Sequence, residues 1–140
     1  MAFQEKSAWV MLGILLVLAA GYFMQVGQLS ADAGEVINPQ VAAVVKFTVA
    51  IIVWSVISHI ALALFWPKDA QQKLDERERR IHDRAGHLSG LVLGFGLVTA
   101  LGHFLFVGNA NLLFYMGFAS LILSQLSEYV FRIFNYRRAF

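Results

Sequence analysis

Four long apolar stretches divide the 140-residue chain. They cover residues 8–28, 41–66, 88–108 and 112–134. Each has about the 20 residues that a helix needs to cross the hydrocarbon core of a bilayer, and the second is long enough to cross it with some tilt. The pattern predicts an all-α integral membrane protein, with four transmembrane helices in a single membrane domain spanning residues 1–140.

The amino-acid composition agrees with this prediction. Hydrophobic residues make up 59% of the chain and charged residues only 14%, whereas about 25% of the residues of an ordinary soluble domain are charged. A soluble domain of this length could not bury so much apolar surface. The chain has no cysteine, which excludes disulfides, zinc–thiolate sites and iron–sulfur clusters.

The positions of the basic residues indicate the orientation in the membrane. Every Lys and Arg except Lys46 lies before the first stretch, between the second and third, or at and beyond the end of the fourth, where Arg132, Arg137 and Arg138 lie. The connection between the first and second stretches carries Asp32 and Glu35 and no basic residue. Because positively charged connections face the cytoplasm, we expect both termini to be cytoplasmic, with the protein in a bacterial inner membrane.

A charged segment, residues 67–87, separates the second and third stretches. Pro67 and Asp69 suit a helix start, and opposite charges recur four residues apart. The sequence predicts a cytoplasmic helix from Asp69 into the third stretch, an extension of roughly 30 Å that either projects from the membrane or lies along it. Its narrow apolar stripe either docks a protein partner or a second copy, or packs on the chain itself. The candidate docking residues are Asp75, Arg77, Arg80, Ile81 and Arg84.

Nucleic acid is not an expected partner of this segment. Acidic residues, among them Glu76 and Asp83, alternate with its arginines. The segment therefore has no continuous basic patch that could follow a phosphate backbone.

One part of the charged segment resembles a known signature. The run from Asp75 to Ile81, DERERRI, followed by Ala85 and Ser89 at the start of an apolar span, is similar to a motif in small uncharacterised membrane proteins of bacteria and archaea. The resemblance implies a multi-span membrane protein and no particular chemistry. Some proteins of this kind resemble the membrane partners of compact helix-turn-helix regulators, which would imply a sensing or sequestering role.

Three glycines predict a site of close helix packing. Gly86, Gly90 and Gly94 lie four residues apart, on one face of the third predicted span. Other small residues widen this surface, namely Ala85, Ser89, Gly96, Ala100 and Gly102. Small residues at this spacing let two helix backbones approach closely in lipid. The sequence leaves two occupants open for this face, namely the fourth span or a second protomer.

Polar residues inside the spans are candidate functional sites because burying them in lipid is costly. His59, Glu128, Ser55 and Ser124 are expected at one depth near the inner surface, and Lys46 with His103 at a shallower outer layer. A His59–Glu128 pair could be part of a proton or ion path. In the other interpretation Glu128 pairs with Arg132, Lys46 extends outward to the surface, and the histidines bond to neighbouring helices.

A haem or pigment site is the third interpretation. His59 and His103 differ in depth by roughly 12 Å, which disfavours a shared haem. The sequence contains no pattern typical of a metal site, of a catalytic nucleophile with its base, or of a phosphate-binding loop. We therefore expect no cofactor and no enzyme activity. The first functional hypothesis is therefore a non-enzymatic accessory or regulatory membrane subunit that docks a protein partner or a second copy through the charged segment. The alternative is a small transporter or ion-conducting oligomer that uses His59 and Glu128.

Overall fold

The computed structural model describes residues 2–138. Over that range it is helical and without strands, and its four long helices have 25–32 residues each. All four are long and apolar enough to cross a membrane, so the predicted fold class, an all-α membrane protein, is confirmed. The helices are α1 (Phe3–Ala33), α2 (Val41–Phe65), the short α3 (Pro67–Ala70), α4 (Glu76–Val107) and α5 (Ala110–Arg138).

The long helices pack in the order α4, α5, α1, α2, and the most extensive contact joins α4 to α5. A tight turn makes these two helices antiparallel neighbours. Gly108 ends α4 with a φ of 70°, a left-handed conformation that favours glycine. The Asn109 side chain then accepts a hydrogen bond from the backbone N–H of Leu112 at 3.1 Å, which caps the start of α5.

An aromatic cluster joins three of the helices. Tyr22 of α1 lies 5.5 Å from Phe47 of α2 and 5.1 Å from Phe118 of α5, measured between ring centroids. Phe47 and Phe118 are themselves 5.3 Å apart. Edge-to-face and tilted aromatic pairs at these distances stabilise the packing beyond the area they bury. The cluster therefore fixes α2 against the α1–α5 pair.

The helix predicted from Asp69 begins later in the structure. Residues 71–75 are not helical, and α4 begins at Glu76. The reason is a reciprocal cap: Asp75 accepts a bond from the Glu78 backbone N–H at 2.7 Å, and Glu78 accepts one from the Asp75 backbone N–H at 3.2 Å. The extension of α4 beyond the apolar stretch is therefore residues 76–87, about 18 Å long rather than about 30 Å.

Small residues form the contact between α4 and α5. Ser124 donates a hydrogen bond from its hydroxyl to the backbone carbonyl of Ser89 at 2.9 Å. Further along, Gly96 faces Ser120 so closely that a Cβ on Gly96 would lie 2.7 Å from the Ser120 Cβ. The close approach of these backbones is what lets a serine hydroxyl reach across to the neighbouring helix. The buried residues of the contact include Ala85, Ser89, Ala100, Ser120 and Ser124.

The predicted glycine row is not part of this contact. Gly86, Gly90 and Gly94 are exposed, and a Cβ added at any of them would have nothing within 4 Å. The fourth span, α5, is therefore not the occupant of this row, and the second-protomer alternative is left.

We expect Gly96→Ala to lower the free energy of unfolding by about 1–3 kcal/mol, because the new methyl group overlaps Ser120 and forces α4 and α5 apart. Thermal denaturation in mild detergent measures the change. Gly102→Ala is the matched control, since a Cβ at Gly102 has open space on the same helix. Equal stabilities for the two variants would contradict the close α4–α5 packing.

Candidate functional site at the charged end of the bundle

Ion pairs connect three separate parts of the chain at one end of the bundle. Near the start of α1, the Lys6 Nζ lies 3.8 Å from the Asp69 Oδ2 of α3 and 4.0 Å from the centroid of the Trp66 ring. The neighbouring Glu5 pairs with Arg137 at the end of α5, with 3.4 Å between Nε and Oε1. The beginning of α1, the charged segment and the end of α5 therefore share one end, which we call the charged end.

Glu5 is a functional-site candidate that the sequence reasoning missed. The residue is only 6% exposed, and a carboxylate in such surroundings needs a cationic partner. Its partner Arg137 is largely exposed and also lies over the ring of Trp9, 5.4 Å from the centroid. An acidic residue directly before an apolar span is the only signal that the sequence offered.

A second polar cluster lies at the contact of α4 with α5. Glu128 forms a salt bridge and hydrogen bond with Arg132, one turn further along α5. The Nε2 atom of His82 on α4 and the hydroxyl of Tyr136 on α5 are buried at this end of the contact. Neither atom forms a hydrogen bond with a described residue. The sequence did not indicate a role for His82, because helical spacing alone does not show that this residue is buried at the contact with α5.

Burial governs the protonation of His82, which lies six residues before the apolar stretch. Desolvation lowers the pKa of its imidazole, and the Arg132 guanidinium lowers it further. The carboxylates of Glu128, Glu78 and Asp83 oppose this shift without reversing it. His82 therefore favours the neutral form in the folded chain.

The intramembrane polar residues have partners other than those of the proposed ion path. His59 donates from Nδ1 to the Ser55 backbone carbonyl at 2.7 Å, so its Nε2 accepts from the Ser7 hydroxyl at 3.1 Å. This connects α2 to α1, whereas Glu128 pairs within α5. Within the described chain the His59–Glu128 pair is therefore not formed, and Ser124 uses its hydroxyl to join α5 to α4.

The outer pair of polar residues lies on helices that are far apart in the packing order. Lys46 is exposed on α2, and His103 is half-buried on α4. The same separation applies to His59 and His103, so these histidines do not face one another across a helix contact. No group of three or more His, Asp or Glu residues between residues 2 and 138 is arranged to hold a metal ion.

The candidate docking residues have three different roles in the structure. Asp75 is the cap of α4, and Ile81, at 8% exposed, packs toward α5. Arg77, Arg80 and Arg84 are exposed. Together with Ile81 these arginines line an open cleft of about 620 Å³ whose other wall is formed by two residues of α5, Asn135 and Arg138. We call this the arginine cleft.

No protein-family model, curated protein or solved structure matches the chain. The resemblance of residues 75–89 to small membrane proteins of bacteria and archaea stays a prediction. Any assignment of function therefore depends on the geometry of the chain itself.

We expect the stability of the fold to decrease when the pH falls below the ordinary histidine value of 6.5. The pKa of His82 is lower in the folded chain than in the unfolded chain, so in this range the unfolded chain binds more protons and acid favours it. Melting temperatures in detergent between pH 8 and pH 5 measure the effect.

His82→Gln should flatten this pH dependence, whereas His87→Gln, an exposed histidine of the same helix, should leave it unchanged. If both variants keep the slope of the native chain, burial of His82 is not its cause.

Proposed function

We propose that the chain is a non-enzymatic membrane protein, an accessory or regulatory subunit, that docks a protein partner through the first part of α4. The observation that carries this proposal is the rigid extension of α4, residues 76–87, beyond its apolar stretch. About three helical turns of charged side chains lie there outside the hydrocarbon region. Of the charged parts of the described chain, this is the longest ordered one.

Two features make the extension rigid. Ala85 is fully buried and Ile81 nearly so, which holds one side of the helix against α5. The reciprocal cap of Asp75 and Glu78 fixes its first turn. A surface that is ordered before binding loses little conformational entropy when it binds, which suits a docking role.

The exposed side of the extension carries charges of both signs. Glu76, Arg79 and Asp83 are exposed, and their spacing of three and four residues places them on one side of the helix. Alternating charge favours a protein surface with complementary charges, because such an arrangement gives orientation and specificity. The docking face is therefore assigned to these three residues, since Asp75 and Ile81 are engaged in the fold and the three predicted arginines line the cleft against α5.

The glycine row continues this side of the helix into the membrane. Gly90 and Gly94 follow Asp83 at spacings of seven and eleven residues. These spacings are close to two and three helical turns, so both glycines lie on the same side of α4 as Asp83. Glycine costs helix stability and gives lipid little to pack against, whereas it permits close approach of another helix. We infer that the partner is itself a membrane protein, with a second copy of this chain as the first choice.

We infer the orientation of the protein in the membrane from the positions of its positively charged residues. The charged end holds the basic residues of both termini and of the α2–α4 connection, and such residues favour the cytoplasmic side. We therefore propose that the protein lies in a bacterial inner membrane and docks its partner on the cytoplasmic face. The ion-conduction and haem hypotheses have no comparable support, since His59 and Glu128 have separate partners.

Exchanging Arg79 and Asp83, as Arg79→Asp with Asp83→Arg, should abolish co-purification of the partner in mild detergent. The exchange keeps the net charge of the chain and reverses the order of charges on the docking face, which removes the charge complementarity with the partner. Quantitative mass spectrometry after affinity purification measures the loss. Lys73→Glu, a reversal in the non-helical connection, is the control that should retain the partner. A partner recovered equally with all three chains contradicts docking through this face.

Gly90→Leu should shift the chain from dimer to monomer, because the larger side chain prevents close approach of the two α4 helices. Analytical ultracentrifugation in mild detergent measures the shift. Gly13→Leu adds the same side chain at an exposed glycine of α1 with open space around it, and should leave the dimer intact. A native chain that is monomeric under these conditions excludes the second copy as occupant.

A further inference from the structure

The arginine cleft is a concentration of positive charge that the proposed docking face does not use. Arg77, Arg80 and Arg84 recur at spacings of three and four residues, so they lie along one side of α4. The cleft closes against Arg138 of α5, and none of its lining residues is acidic. Glu76 and Asp83 are not among the lining residues, although Arg80 lies next to both of them on the helix surface.

Three arginines of the cleft are not paired with a carboxylate of the described residues. Among the described residues, neither Arg80, Arg84 nor Arg138 takes part in an ion pair. Arg80 donates from Nε to the Glu76 backbone carbonyl at 3.3 Å, and Arg138 lies 5.1 Å from the centroid of the Phe134 ring. Guanidinium groups placed around one cavity repel each other unless an anion lies between them. A phosphate group matches their fork of donors, because it accepts two parallel hydrogen bonds.

The depth of the cleft favours a phosphate that belongs to a lipid. Arg84 lies four residues before Leu88, where the apolar stretch begins, a distance of about 6 Å along the helix. The headgroup layer of a bilayer is about 5–8 Å thick on each side. Arg84 therefore lies at the level of the lipid phosphates, and Arg80 lies one turn further from the hydrocarbon region.

Below the cleft, the same side of α4 becomes apolar. Leu91 and Phe95 follow Arg84 at spacings of seven and eleven residues, and they are 60% and 78% exposed. Phe134 on α5, one turn before Arg138, is also exposed. A cationic cleft above an uncovered apolar surface matches the two halves of a phospholipid, whereas an acidic peptide or a free phosphate would use only the upper half.

We infer that the arginine cleft binds the phosphate headgroup of an anionic phospholipid, with its acyl chains along Leu91 and Phe95. The site holds a lipid at the contact of α4 with α5. It shares no residue with the docking face of Glu76, Arg79 and Asp83, so either assignment can fail without the other.

The test measures lipid retained by the full chain in a neutral mild detergent. The chain is mixed with phosphatidylglycerol or with phosphatidylcholine, and bound lipid is counted by native mass spectrometry. The native chain should retain phosphatidylglycerol in preference. Because each arginine near an anionic lipid contributes about fivefold to affinity, Arg80→Gln with Arg84→Gln should weaken this retention about 30-fold.

Lys73→Gln with Arg79→Gln removes the same charge outside the cleft and is the matched control. It should retain phosphatidylglycerol as the native chain does. Arg138→Gln, at the exposed end of α5, gives a second variant with an expected loss of about fivefold, and melting temperatures confirm that each variant is folded.

Four results overturn the inference. Retention unchanged in both cleft variants removes the site, and equal losses in the control reduce it to general surface charge. Displacement of phosphatidylglycerol by inorganic phosphate alone assigns the cleft to a soluble anion. Loss of a co-purifying protein from Arg80→Gln with Arg84→Gln, while lipid is retained, assigns the cleft to protein docking.

Discussion

Lipid offers no hydrogen-bond partners, and this constraint decides where the polar side chains of the four spans lie. Thr48 and Thr99 donate their hydroxyls to carbonyls one turn earlier in their own helices, at 2.9 and 2.8 Å. Ser124 instead donates across to Ser89, because the small residues around it bring the two backbones together. These three hydroxyls are thus used within the fold, and we look for function among the charged residues at the ends of the helices.

At the charged end, some charged residues form ion pairs within the fold and others are exposed. Glu5 and Lys6 pair with residues of α5 and α3 and hold the start of α1 against both. Glu128 and Arg132 pair with each other on α5. What is left exposed lies mainly on α4 in two separate groups, the mixed charges of the docking face and the arginines of the cleft. One helix thus offers a protein surface and, next to it, an anion site.

Much of the fold was predictable because its causes are local. The second apolar stretch, residues 41–66, agrees with α2 to within one residue, since length and apolar character are all that crossing a bilayer requires. The start of α4 was not predictable from charge spacing, because Asp69 and Asp75 both suit a cap. Gln72 follows Asp69 at the same spacing at which Glu78 follows Asp75, and the structure forms the reciprocal bonds at Asp75 and Glu78. Glu5 and His82 were missed because the partners that matter to them lie on other helices.

The sequence alone determined that this is a four-span all-α membrane protein, and it placed every Lys and Arg except Lys46 at one end, because lipid sorts residues by polarity without reference to their neighbours. The tertiary structure decided which side of α4 packs. Two rows of small residues, one at Gly86, Gly90 and Gly94 and the other at Ala85 and Ser89, are offset by one position, a rotation of about 100°. Both rows permit close approach, and the selection of the second followed from the shape of α5, whose Ser120 and Ser124 fit against Gly96 and Ser89.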